Sequence, residues 1–101
     1  MNFEINKVYT FKLNSGEELI GKVVVAPHGS GHIEITDPVS VAPGPQGMGL
    51  VPSMFTADIG KNVTINTNGI TMYAETDDSV RMKYVEATTG IKVPDKKIIM
   101  G

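Results

Sequence analysis

Between residues 7 and 13 (Lys-Val-Tyr-Thr-Phe-Lys-Leu) apolar and polar side chains alternate, with Tyr9, Phe11 and Leu13 on one face. A period of two belongs to an extended chain with one face buried, so the segment predicts a half-buried strand. Asn14-Ser15-Gly16-Glu17 follows with turn chemistry, and residues 18–25 (Glu-Leu-Ile-Gly-Lys-Val-Val-Val) read as the returning strand. Gly21 in its middle packs nothing and costs entropy, so its expected use is to let the strand bend sharply. Pro27 to His32 reads as a loop, and a third strand over 33–36 resumes at 39–42 after Asp37-Pro38, where Pro38 marks a bulge or an edge. Pro43-Gly44-Pro45-Gln46-Gly47-Met48-Gly49 is expected to be the most flexible segment, and 50–56, interrupted by Pro52, an edge strand or arm.

Alternation returns at 62–66 and 70–74, around Thr67-Asn68-Gly69 with its turn-favouring Asn-Gly pair. The period then changes. Val80, Tyr84 and Ala87 form one narrow helical stripe over about 77–89, with Thr76 as the expected cap, Asp77 and Asp78 in the first turn and Gly90 as the stop. A tail over 91–101 is broken by Pro94 and ends in Ile98-Ile99-Met100; it either covers a barrel or docks on another protein. The expectation is one mainly β domain over 1–101 that closes into a small barrel at about 7–74.

Composition narrows the function. The chain has 101 residues, 41% hydrophobic and 20% charged, which is the range of a folded globule with a thin margin of stability. It has no cysteine, so disulfides and thiolate metal sites are excluded. Neither a signal-peptide pattern nor a membrane-length apolar run is present, which makes cytoplasmic residence the expectation. A formal net charge of −2, with Lys7, Lys12, Lys22 and Lys61 scattered and Lys96-Lys97 a lone pair, supplies no basic face for nucleic acid.

Candidate chemistry is sparse. His28 and His32 flank Gly29-Ser30-Gly31, but two imidazoles need a further ligand on a fixed frame, so a solvated loop is favoured over a metal site. The glycines at 44–49 lack the Gly-Lys-Ser/Thr ending of a phosphate loop. Glu17 and Glu18 point to opposite faces of a strand, and Asp77 and Asp78 are explained by a helix start. With no nucleophile motif either, the expectation is no enzyme, no metal and no cofactor.

Val8-Tyr9-Thr10-Phe11-Lys12-Leu13, Gly16 and Leu19-Ile20-Gly21-Lys22-Val23 resemble the first motif of the Sm-like (LSm/Hfq) family. Val63-Thr64-Ile65 and Ile70-Thr71-Met72-Tyr73 are similar to the second. The whole wording, with Glu86-Ala87-Thr88-Thr89-Gly90-Ile91, resembles small Sm-like proteins of tailed phages that infect cyanobacteria.

The resemblance implies an SH3-type, five-stranded open barrel, here with a C-terminal helix, assembled into a homo-oligomeric ring of about five to seven subunits. Val63, Ile65, Ile70 and Met72 then fall at the ring interface. Glu34, Asn66, Thr67 and Asn68 occupy the family's RNA-pocket positions, with a carboxylate and no Arg-Gly where the family has RNA contacts. The family's helix precedes its first strand, whereas only six residues do so here. Two functions stay open: a protein-binding or structural ring, slightly favoured, and an RNA-binding ring acting on host or phage transcripts, in either case in the cytoplasm of an infected cell if phage-encoded.

Overall fold

The structure, a computed structural model, describes residues 1–45, 47–58 and 60–92. Its elements in chain order are β1 (Val8–Leu13), β2 (Glu18–Val25), β3 (His32–Gly44), β4 (Gly47–Pro52), β5 (Val63–Asn66), a 3-10 turn (Thr67–Gly69), β6 (Ile70–Glu75) and α1 (Asp78–Lys92). All pairings are antiparallel, in the order β4-β3-β2-β1-β6, with β5 on the first part of β3. The protein is therefore mainly β, with six strands among the described residues instead of the expected five. β5 and β6 flank opposite ends of the path yet are joined by three residues, so the sheet must curl until these ends approach. Among the described residues no ladder joins β5 to β6, and the sheet stays open.

The alternation of β1 and β2 sorts into two cores. Tyr9, Phe11, Leu19, Val23, Ile33, Ile35 and Ile70 fill the inner face. Ile20 and Val39 point the other way and are covered by Tyr84 of α1, with Val8, Val41, Leu50 and Val80 around them. A sheet with both faces covered needs consecutive apolar residues at its centre, which is why Leu19 and Ile20 are neighbours. Phe3 closes one end of the inner core. Its ring lies 4.5 Å from Tyr73 and 5.1 Å from Tyr9, and the Tyr9 hydroxyl accepts from the Glu4 N–H at 2.8 Å.

Several local expectations are corrected. The third strand is continuous over 13 residues: Ile20 pairs with Val39 and Lys22 with Thr36, so β3 carries one residue more than β2 at this point. That bulge is Asp37-Pro38, with Asp37 at φ 53°. The segment expected to be most flexible is the end of a hairpin, in which Pro43 pairs with Met48 and Gly44 with Gly47. Ladder hydrogen bonds and the φ of 107° at Gly47 absorb the local Pro/Gly composition. The following strand ends at Pro52 and does not continue to 56.

The helix is capped by Asp77, whose Oδ2 accepts from the Ser79 and Val80 N–H groups, whereas Thr76 is hydrogen-bonded to Thr10 at 2.9 Å. Gly90 does not stop it, since α1 runs to Lys92. The expectations for Pro94, Lys96-Lys97 and Ile98-Ile99-Met100 lie outside the described residues.

Candidate functional site: two strand edges and the loop cleft beside them

β5 pairs with β3 alone and β6 with β1 alone, so among the described residues each presents one unpaired edge. Residues Val63 and Ile65 of β5 turn toward the inner core and are half-buried, while Thr64 and Asn66 face out. In β6, strict alternation would put Ile70 and Met72 on one face. The pairing instead steps from Lys12↔Met72 to Leu13↔Ile70, which leaves Thr71 as an extra residue. The bulge reverses the parity: Ile70 is a core residue, 6% exposed, and Met72 stands 62% exposed. Of the four expected interface positions, the structure brings Val63, Ile65 and Ile70 to the inner core and leaves Met72 on the surface.

The corner between these edges is tied to the β1–β2 turn by one residue. Asn14 accepts at Oδ1 from the Thr71 hydroxyl (2.6 Å), donates from Nδ2 to the Asn68 carbonyl (2.7 Å), and donates from its backbone N–H to the Gly69 carbonyl (2.9 Å). Asn66 caps the 3-10 turn by accepting from the Asn68 N–H at 2.9 Å. Beside this corner an apolar cleft of about 390 Å³ opens, with Leu13, Leu19, Ile35, Val63 and Ile65 among its walls. It lies where the curled sheet fails to close.

A second cleft, about 360 Å³, lies where the β2–β3 loop meets the 3-10 turn, with Phe3, His28, His32, Ile33 and Thr67 in its lining. The Thr67 N–H donates to the Gly31 carbonyl at 3.0 Å and holds the two loops together. Thr67 is thus the one RNA-pocket position that faces this cleft. Asn66 and Asn68 are engaged in the turn, and Glu34, opposite Thr64, accepts from Asn62 Nδ2 at 3.1 Å. His28 and His32 do line one cleft, yet no group of three His, Cys, Asp or Glu among the described residues could hold a metal.

Charge near these features is locally compensated. Lys7 Nζ lies 3.5 Å from Glu4 and 3.4 Å from Glu75; these carboxylates, Glu4 foremost, raise its affinity for the proton above that of a free lysine. Arg81 is offset by Asp78 at 3.5 Å. Ser40, 9% exposed, donates to the Glu17 carboxylate and shares a 3.0 Å hydrogen bond with Ser53. No helix among the described residues is long and apolar enough to cross a membrane.

Sequence patterns gave no notice of Phe3 or of the bonds by which Asn14, expected only as a turn residue, ties the corner; the bulge at Asp37-Pro38 was signalled by Pro38. A lone apolar residue before a strand, or an Asn in a turn, carries no periodic signal. No protein-family model and no curated protein matches the chain.

Proposed function

We propose that this chain is a non-enzymatic, Sm-like ring-forming module, phage-encoded, that serves as a protein-binding or structural scaffold in the host cytoplasm. The observation that carries the reading is the pair of unpaired edges on β5 and β6, set on either side of a three-residue turn. An exposed strand edge is a row of unsatisfied N–H and C=O groups, which proteins normally cover or pair. When β5 of one copy adds to β6 of the next, each copy offers one edge and accepts another, and closure leaves none free. The apolar cleft walled by Val63 and Ile65 lies along that seam, where a neighbour would seal it. The Ser40 hydroxyl donates to the Glu17 carboxylate and shares a hydrogen bond with Ser53, a pairing without the imidazole base that acyl chemistry would call for.

Light scattering of the purified chain tests the ring. A discrete assembly of about five to seven copies, or twice that, persisting at micromolar dilution is expected. A mass of one subunit throughout overturns the ring.

An RNA-binding ring is the second reading, and the cleft between Thr67 and the His28–His32 loop is what favours it. Its lining contains no Lys or Arg among the described residues, which leaves phosphate without a lysine or arginine partner and keeps this reading second.

A further inference from the structure

The ring reading uses β5 and β6 and leaves a third edge unassigned. Among the described residues β4 ends the sheet and pairs with β3 alone. Edge strands are commonly guarded by lysine or other charges, but from Pro38 to Ala57 the chain has twenty consecutive residues without one charged side chain. Met48 is 58% exposed, Val51 39%, Met54 52% and Phe55 83%.

The prolines reveal which backbone groups face outward. Antiparallel partners alternate between pairs that exchange both hydrogen bonds and pairs that exchange none. Pro52 and Pro43 have no N–H, and the ladder pairs them with Val39 and Met48. Both pairs have the same parity, and one step beyond, the Ser53 N–H bonds to the Pro38 carbonyl at 3.2 Å. The non-bonded positions of β4 are therefore Met48, Leu50 and Pro52, whose backbone groups point away from β3. Outward donors are the N–H groups of Met48 and Leu50, and the outward acceptors include the carbonyls of Leu50 and Pro52.

We propose that this edge pairs antiparallel with β4 of a second copy about a two-fold axis, an interface separate from the ring's. With the axis at Leu50, each Leu50 N–H meets the other copy's Leu50 carbonyl, and each Met48 N–H meets the other copy's Pro52 carbonyl. Every outward donor of both strands is satisfied; the missing proline N–H leaves only the Met48 carbonyl of each copy without a ladder donor. Charge selects the occupant as well. Two copies of net charge −2 repel at most surfaces, but two charge-free strands set no like charges opposite each other. A lipid surface would leave the N–H groups of Met48 and Leu50 unpaired, which apolar surroundings penalise. Phe55 alone offers roughly 150–250 Å² per copy. With Met48, Val51, Met54 and the strand backbones from both sides, the contact reaches the order of the ~1,000 Å² that specific interfaces need.

The test compares the mass of the full chain with that of Met48→Pro by sedimentation velocity, with circular dichroism as the folding control. Proline at 48 removes an outward donor at a position where the internal ladder uses none. An even number of subunits in the wild type and half that number in a folded Met48→Pro is the expected result. If Met48→Pro does not fold, Val51→Lys, which sets like charges in the shared edge, takes its place with the same expectation. A wild type of one subunit or an odd number, or a folded variant of unchanged mass, overturns the pairing. So does co-sedimentation of a monomeric wild type with phosphatidylcholine vesicles, which would assign the apolar strip to lipid. Failure of the ring is distinguishable: the wild type is then a dimer, and the variant a monomer.

Discussion

A methyl group built at Gly21 would lie 2.8 Å from Cδ1 and 3.3 Å from Cβ of Ile35, a side chain with no exposure in the inner core. The glycine stands opposite the Asp37-Pro38 bulge, where β2 and β3 change register, and Ile35 fills the space this leaves. The register change and the close packing thus meet at this glycine. Gly21→Ala should destabilise by about 1–3 kcal/mol through overpacking, in spite of its lower backbone entropy cost. Ile35→Val removes Cδ1, so Gly21→Ala should cost clearly less in that background, a coupling that urea unfolding of the four-membered cycle measures. Strict additivity would show that the two side chains do not compete for space.

Tyr84 latches the helix to the sheet. Its hydroxyl donates to the Thr36 carbonyl at 3.0 Å, beside the bulge. Tyr84→Phe should lose about 1–2 kcal/mol of stability by leaving that carbonyl without its partner. Burial first, and the Asp37 carboxylate second, push the ionisation of Tyr84 well above the ordinary tyrosine range. The neutral form is the one the fold favours, so its stabilisation is fully present below about pH 10, where the unfolded tyrosine begins to ionise. It is lost as pH rises beyond that. Unfolding curves on either side of that pH should show a loss in the wild type that is smaller in Tyr84→Phe.

At the start of α1 the sign reverses. The Ser79 hydroxyl, then the Val80 N–H, hold the Asp77 carboxyl below its usual range by bonding to the charged form. Its contribution is present above the unfolded carboxylate range and is lost as pH falls below about 4. Helical circular dichroism should decline through that acid range in the wild type. The Asp77→Asn variant, which keeps an oxygen acceptor without the titrating group, should start lower and decline less.

The balance of charge predicts weak RNA binding. With Lys7 and Arg81 offset by carboxylates, dissociation constants for short uridine-rich or adenine-rich RNAs should be no tighter than about micromolar at physiological salt. Fluorescence titration at two salt concentrations checks this. Nanomolar binding to a defined RNA would move the RNA reading ahead of the scaffold reading.

The closing of the β5–β6 corner by Asn14 can be tested separately from assembly. Asn14→Ala deletes two side-chain hydrogen bonds, to Asn68 and from Thr71, and should cost about 1–2 kcal/mol. Asn14→Asp keeps the acceptor for Thr71 and loses only the donor, so it should recover part of that loss in a thermal melt. Equal melting of all three proteins would remove Asn14 from the corner's support.

Much of the fold was legible where the signal is local. Tyr9, Phe11 and Leu13 alternate and do share the inner side of β1, and Asn68-Gly69 does mark a tight turn. The candidate site was legible in position more than in orientation. Val63 and Ile65 lie along the edge expected of them, but Met72 does not join Ile70, because Thr71 is a bulge. A bulge has no composition of its own, and its effect on parity appears only once the partner strand is in place.

The sequence by itself determined that this is a mainly β protein with a helix starting near residue 78 and carboxylates at its start, since alternation, turn residues and first-turn carboxylates act within a few positions of one another. Tertiary structure alone decided what those elements meet. It placed Leu19 in the inner core and Ile20 under Tyr84 in the other, and it brought Phe3 over Tyr9 and Tyr73. It also paired Pro43 with Met48 and Gly44 with Gly47 in a hairpin whose far edge is unpaired among the described residues. The physical reason is range. A side chain's preference for burial and a backbone's need for partners are written locally, but which surface or strand answers them depends on residues tens of positions away.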